Sequence, residues 1–298
     1  MSLQTRHHGL AGLHITGRDR QAFLHNMTTA AIRTLPAAEG AAAAVVDQRG
    51  VVIDWGWVHA ADDGHTFIGH ASRAERLHGW LERYVITEDV GVDARPFEGG
   101  GLLVAGASGE QALATALGAT LVGASHVRMA GAIARRVGGP GLPMWLVEGP
   151  DLGNLQARLA AAGVADADPA AWEAWRVAAG VPAPEKEADE RANPWELGLD
   201  EAIALDKGCY LGQEVIARLR TYDKVQRRLA RLAPSEPGLH AGLALFSAED
   251  AELDRPVGLL TSVIEGPTPS ALGLIRRTAP ATLIAVKADG RRVACGAN

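Results

Sequence analysis

Through Gly180 the chain alternates segments of strand period with segments of helix period, and after Arg231 only short strand-period segments recur. That order limits the fold more than any count does, because it calls for mixed α+β packing followed by an all-β lobe. Leu13 and Ile15 predict a strand; Thr16 then caps a helix with Asp19 at its third position and Phe23, Leu24 and Met27 on one face. Val45-Val46, a turn over Asp47-Gln48-Arg49-Gly50 and residues 51–58 read as a hairpin, with Ile53, Trp55 and Trp57 on one face and Asp54 on the other. After a strand over residues 66–68, Ser72 with Glu75 forms a capping box for a helix bearing Leu77, Trp80, Leu81 and Tyr84. A strand over residues 102–105 precedes a helix opened by Ser108 and Gln111 and stopped at Gly118; residues 133–137 and 144–147 make a second hairpin. Asp168-Pro169 starts a helix through Trp172, Trp175 and Arg176 that Gly180 ends. Strands near residues 243–246, 257–264, 272–275 and 283–286 compose the C-terminal β lobe.

At 298 residues, 47% hydrophobic and 21% charged, the chain can bury more than one core. Its net charge of −6 argues against a general nucleic-acid coat. No apolar run approaches the roughly 18 to 20 residues that span a bilayer, and residues 1–12 carry no hydrophobic signal core, so a cytoplasmic protein without membrane or nucleic-acid partners is expected. Charge reverses along the chain. Residues 183–206, including Asp189, hold eight acidic and two basic side chains and read as a solvated connector, whereas residues 207–231 are strongly basic. The expected division is residues 1–225, containing that connector, and residues 226–298.

Two cysteines, Cys209 and Cys295, are too few for a disulfide framework, and no histidine spacing marks a metal site. The densest string is Lys207-Gly208-Cys209-Tyr210-Leu211-Gly212-Gln213-Glu214. Its glycines permit a tight backbone. Val215, Ile216 and Leu219 follow at helical spacing, so Cys209 precedes a helix N-terminus, and the helix field and Lys207 would both favour a thiolate. Taken alone, a single cysteine is more often a small buried apolar residue, and it is the surrounding string that reverses that reading.

The string resembles the K-G-C-Y-x-G-Q-E signature of the YgfZ family, folate-binding relatives of the glycine-cleavage T-protein. Four further stretches resemble that family in order: Leu13-His14-Ile15-Thr16-Gly17-Arg18-Asp19 through Phe23-Leu24, Gly50 to Asp54, Arg176-Val177-Ala178-Ala179-Gly180-Val181-Pro182, and Val257-Gly258-Leu259-Leu260-Thr261-Ser262. The resemblance implies a three-lobed ring with two interleaved α+β lobes, one of them ferredoxin-like, and a C-terminal β-barrel, with tetrahydrofolate in a central channel. It also implies an accessory role in assembling or repairing iron-sulfur clusters, with iron-sulfur enzymes or cluster-assembly proteins as partners.

On that reading Cys209 and Lys207 carry the chemistry within the motif Lys207, Gly208, Cys209, Tyr210, Gly212, Gln213 and Glu214. Asp54, Arg176, Tyr210, Arg218 and Arg227 are the folate-binding candidates. A carboxylate, Asp54 or a glutamate after Pro182, would suit the pterin edge; Tyr210 or Trp195 would stack; Arg218 or Arg227 would meet the anionic tail. One thiol cannot hold a cluster by itself. The alternative is an enzyme transferring an aminomethyl or other one-carbon group. Against it, Ile53-Asp54 stands where the aminomethyltransferases have paired aspartates, and Gly69-His70 where they have asparagine-alanine. Tyr222-Asp223 also replaces the arginine-glycine that often follows the signature.

Overall fold

The computed structural model describes residues 2–6, 8–129, 131–138, 142–188 and 190–297; Asp189 of the acidic stretch lies outside them. The chain divides into two compact units, Met1–Trp172 with Glu201–Gln213, and Glu173–Asp200 with Glu214–Asn298.

In the first unit β1 (Leu3–Thr5) precedes a lobe made of β2 (Leu10–Thr16), α1 (Arg20–Met27), β3 (Gly40–Val46), β4 (Val52–Ala61), β5 (Gly64–His70), α2 (Ala74–Glu82) and β6 (Gly91–Arg95). The five strands form an antiparallel sheet in the order β3-β4-β5-β2-β6. Phe23, Leu24 and Met27 of α1 and Leu77 and Leu81 of α2 cover one face of it, against Leu13, Ile15, Val58 and Phe67. Each such side chain contributes roughly 1.5–3 kcal/mol by leaving water.

Two local expectations give way. Gly17, at φ +92, turns the chain against the Asp89-Val90 backbone, so α1 starts at Arg20, and the Asp19 carboxylate accepts the Asp89 N–H at 2.9 Å in place of a Thr16 cap. A 3-10 turn over Ala71–Arg73 leads into α2, and no Ser72 capping bond forms.

The β3–β4 register carries a bulge. Val45 pairs with Asp54 and Val46 with Val52, leaving Ile53 as the extra residue. Ile53 joins the core, while Trp55 and Trp57, paired with Ala44 and Ala42, lie on the opposite face from the core-facing Ala41, Ala43 and Val45. Asp54 therefore shares the side of Val45 and Val58, where it is fully buried. The alternation expected for Ile53, Trp55 and Trp57 is broken by that one added residue.

The rest of the first unit runs β7 (Leu102–Ala105), α3 (Ala107–Leu117), β8 (His126–Met129), β9 (Ala132–Arg136), β10 (Met144–Glu148), α4 (Leu152–Ala161) and β11 (Ala165–Asp166). Apart from β8, this is a β-α-β-β-α-β run, and its sheet order, β11-β1-β7-β10-β9-β8, is ferredoxin-like with β1 inserted beside β7. Leu113, Leu152, Leu155 and Leu159 pack on Trp145, Val104 and Val147. Gly106, at φ +91, precedes α3, and Ser108 bonds Ser2 at 2.6 Å rather than capping the helix.

The two sheets meet through a polar layer. Buried His59 lies 2.9 Å from the Arg136 carbonyl oxygen, and Glu148 pairs with Arg95 at 2.7 Å and with Arg135. Burial, then the charges of Arg135 and His126, push the His59 pKa down to about 3.

The helix α5 (Pro169–Ala179) begins as expected, with the Asp168 carboxylate accepting the Ala171 N–H at 2.8 Å, and ends at Gly180, φ +79. The second unit also contains most of α6 (Gln213–Thr221) and a closed antiparallel barrel. Its strands are β12 (Arg227–Pro234), β13 (Ala244–Ser247), β14 (Pro256–Ile264), β15 (Ser270–Arg276), β16 (Thr282–Val286) and β17 (Arg292–Ala297), closed in the order β12-β15-β14-β13-β16-β17. Closure removes exposed sheet edges. Leu232, Leu245, Leu260, Leu283, Val293 and Cys295 fill the interior. Cys295 is a core residue, and burial raises its pKa to about 11.

Candidate functional site

The eight-residue string is an irregular loop ending where α6 begins, held against two features of the first lobe. The first is the end of α1, whose last carbonyls have no partner within the helix. Lys207 is buried there, and its ammonium donates to the carbonyl oxygens of His25, of Thr28 at 2.6 Å and of Ala30 at 2.7 Å. Three N–H groups meet three acceptors, so the lysine braces a helix terminus. Burial, and then the charge of Arg33, lower its pKa to about 7; the carbonyl dipoles favour the charged form and oppose that drop. The ammonium also lies 4.7 Å from the centre of the Tyr210 ring, and burial raises the Tyr210 pKa to about 12. The Leu211 N–H donates to the Asn26 carbonyl at 3.0 Å.

The second feature is the β3–β4 turn. The Asp47 carboxylate shapes it by accepting the N–H groups of Arg49 at 2.8 Å and Val51 at 2.9 Å, and Arg49 Nε at 2.9 Å. Gly212, at φ +82, presses on this turn: a Cβ there would lie 2.5 Å from the Asp47 carbonyl oxygen and 2.9 Å from Val46 Cγ2. Glycine is required for both reasons. Between these anchors Cys209 is exposed with a free thiol, and Gly208 beside it lies close to His25, whose Nε2 would be 3.6 Å from a Cβ placed there. His25 Nδ1 accepts the Arg33 N–H at 3.1 Å, which puts the neutral ring's proton on Nε2. Burial, with the charges of Lys207 and Arg33, lowers the His25 pKa. Gln213 opens α6, and Glu214 and Arg218 form an exposed pair at 3.2 Å one turn apart.

Asp54 sits on the same hairpin, two strand positions beyond the bulge edge at Val52. The β4–β5 ladder stops at Trp57 and Ile68, and beyond it the Asp54 carboxylate takes over: Oδ2 accepts the His70 N–H at 3.0 Å and Oδ1 meets His70 Nδ1 at 2.7 Å. Gly69 makes room, since a Cβ there would lie 2.3 Å from Asp54 Oδ2. Trp55 packs on the imidazole with ring centres 4.5 Å apart.

The arginine candidates belong to the second unit. Arg176 is buried, and its five N–H groups go to the Glu173 carboxylate, the Val181 carbonyl, Glu187 at 3.1 Å and Ser262 Oγ at 2.7 Å; Ser262 in turn donates to Glu187 at 2.7 Å. This node ties α5 to the loop after Pro182 and to β14. Arg227 is bidentate to buried Glu196, Nε at 3.0 Å and Nη2 at 2.9 Å, and the Asn193 N–H reaches the same carboxylate at 3.3 Å. Trp195 donates to the Ile216 carbonyl at 3.0 Å under the guanidinium of Arg220.

A cavity of about 720 Å³ opens on this unit, with apolar walls at Pro256, Val257, Leu259 and Leu274 and cations at its rim. Arg276 lines it, exposed, its side chain without a hydrogen bond or ion pair among the described residues. Sequence reasoning missed His25, His70 and Arg276. Only His70 left a trace, as a departure from the family pattern.

Among the described residues no group of three or more metal-ligating side chains is assembled, and no helix is long and apolar enough to cross a membrane. No family model matches the chain. Its fold is that of the glycine cleavage system aminomethyltransferase T from Bartonella henselae, matched with a TM-score of 0.78 over 100% of this chain and 85% of that one, at 19% identity. In sequence it is similar to a protein of Arabidopsis thaliana named "Putative transferase At1g60990, chloroplastic", 29% identical over 285 residues. That alignment takes in 90% of this chain and spans 63% of the relative's length.

Proposed function

We propose that the protein is a YgfZ-type folate-binding protein that serves iron-sulfur enzymes through Cys209. The observation that carries this reading is the thiol's setting: an exposed Cys209 on a loop whose neighbours Lys207, Leu211 and Gly212 are all committed to holding it in place. A reactive group on a rigid, solvent-facing support suits contact with a partner protein. Because one thiol is too few for a cluster, the remaining ligands come from that partner.

Tetrahydrofolate fits the chemistry of the second unit. The cavity is within the range of small-molecule sites, its apolar walls suit an aryl ring, and unpaired Arg276 suits an anionic tail. Bound there, the folate would supply a one-carbon or reducing group. Arg227, held by Glu196 at the cavity's lining, and Arg276 are the residues that would fix its tail.

A second reading, transfer of an aminomethyl or other one-carbon unit, is favoured by one observation, the buried Asp54 carboxylate paired with an imidazole. Calorimetry with tetrahydrofolate, combined with complementation of cells lacking the gene, separates the two. The first predicts that wild type binds folate and restores iron-sulfur enzyme activity while Cys209→Ser binds but does not restore. Full restoration by Cys209→Ser overturns the thiol's role, and folate-dependent release of ammonia from an aminomethyl carrier establishes the transferase.

A further inference from the structure

We infer that His25 and Arg33 form an oxyanion site beside Cys209, in which His25 Nε2–H and the Arg33 guanidinium hold a carboxylate of a ligand that meets the thiol. His25 is only 6% exposed, and almost everything it carries is committed. Its carbonyl oxygen accepts the Lys207 ammonium, and its Nδ1 accepts the Arg33 N–H at 3.1 Å. With Nδ1 an acceptor, the neutral ring's proton is on Nε2. Burial and the charges of Lys207 and Arg33 keep the ring in that neutral form, so Nε2 is a standing donor with no lone pair for a metal or a proton. It makes no hydrogen bond among the described residues, yet it is not among their sealed, unpartnered atoms. A buried imidazole thus leaves one group, an N–H, for something outside the fold to satisfy.

Gly208 shows where that group points. It is exposed and not at positive φ, and a Cβ built on it would meet one heavy atom within 4 Å, His25 Nε2 at 3.6 Å, which is ordinary contact. Folding therefore does not require glycine here as it does at Gly212. The missing side chain instead leaves room for an oxygen to lie over the Gly208 Cα at hydrogen-bond distance from Nε2, next to the residue that bears the thiol. Charge sets the sign of the ligand. The Arg33 guanidinium is exposed, makes no hydrogen bond or ion pair among the described residues, and acts on both His25 and Lys207. The carbonyl end of α1, which would repel an anion, is covered by the Lys207 ammonium. A carboxylate offers one oxygen to the imidazole N–H and one to the guanidinium. It belongs to a small acid or to an acidic side chain of a partner protein. The site rests on the proposed role of Cys209 only for the use made of the anion; the pair of donors does not.

The test alkylates the full chain with iodoacetate and with iodoacetamide, one reagent carrying a carboxylate and the other none; the second cysteine is buried. The ratio of the two rates divides out the thiol's own reactivity. Against the same ratio for N-acetylcysteine, the wild type is expected to favour iodoacetate by roughly tenfold, the worth of one hydrogen bond to a charged group. Gly208→Ala, which fills the space over Nε2, and His25→Leu are each expected to abolish that preference. His25→Gln, whose amide can accept from Arg33 and donate outward, is expected to restore most of it. A wild-type ratio equal to that of the free thiol overturns the inference. So does a preference that Gly208→Ala leaves unchanged, because the attraction would then be diffuse charge; this variant decides the matter if His25→Leu does not fold. Competition separates the sources: protection by acetate as strong as by a tetra-aspartate peptide assigns a small acid, stronger protection by the peptide assigns an acidic segment of a partner, and protection by neither counts against the site. Full restoration of cells by Cys209→Ser would remove the thiol's proposed role without touching this ratio, so the two failures are told apart.

Discussion

Replacing Lys207 by methionine sets two large effects against each other. Lowering the ammonium from the usual 10.5 to about 7 corresponds, at roughly 1.4 kcal/mol per unit, to about 5 kcal/mol of burial cost at neutral pH. Against it stand three bonds from a charged donor to the carbonyls of His25, Thr28 and Ala30, at about 1.5–3 kcal/mol each. Methionine removes the cost and the bonds together, but it also leaves the His25 and Thr28 carbonyls unpaired at residues at most 6% exposed, while the Ala30 carbonyl keeps the Ile32 N–H. Those orphaned carbonyls tip the balance, and Lys207→Met is expected to lose about 3 kcal/mol. For a unit of this size that lowers the melting temperature by about 6–12 °C. Urea unfolding at unchanged slope measures the loss, and amide exchange at the end of α1 locates it. A variant as stable as wild type, or more so, would refute the reasoning: burial would then outweigh the bonds, and the lysine would be kept for chemistry rather than for the helix end.

Thiol titration with a disulfide reagent should count one reactive cysteine in the native protein and two after denaturation, because Cys209 is exposed and Cys295 is sealed in the barrel; two in the native state would contradict the barrel interior. His59 is neutral when folded, with its pKa near 3 against about 6.5 unfolded, so stability is complete above pH 6.5 and declines as pH falls toward 3, by about 2 kcal/mol at pH 5 from this residue. The acid limb of stability against pH should be shallower in His59→Gln, and an identical limb would count against burial as the cause. Gly212→Ala should cost about 2–4 kcal/mol, from the left-handed backbone and the Cβ clash with Asp47, and should alter the alkylation rate of Cys209; an unchanged rate would mean the loop does not depend on this seat. Arg176→Met should cost about 3–5 kcal/mol by stranding Glu187, and Arg176→Met/Glu187→Met should recover part of it, whereas simple additivity would show that the two act separately.

The sequence signals that held were local ones. The α5 boundaries follow from Asp168, Pro169 and Gly180, and the barrel strands from period-2 runs, because each is decided within a few residues. What failed was also local in origin: the bulge puts Ile53 on the core side with Asp54 rather than on the face of Trp55 and Trp57, and no alternation rule registers an inserted residue. The roles of Lys207 and Arg227 were not legible, since their partners lie elsewhere in the chain: Lys207 answers to carbonyls 177 to 182 residues away and Arg227 to a glutamate 31 residues earlier.

The string of residues 207–214 shows why a dense motif misleads when read as one site. Lys207 and Gly212 are fixed by the needs of the fold, one by unpaired helix carbonyls and one by a backbone that no side chain can share. Subtracting them leaves Cys209 as the exposed, chemically reactive member held by the others. The same subtraction applied to Asp54, whose carboxylate is spent on the backbone and ring of one neighbour, leaves part-exposed His70, a position that stood out from sequence only as a mismatch. Where folding already explains a motif's residues, the atom it leaves without a partner is the better place to look for function.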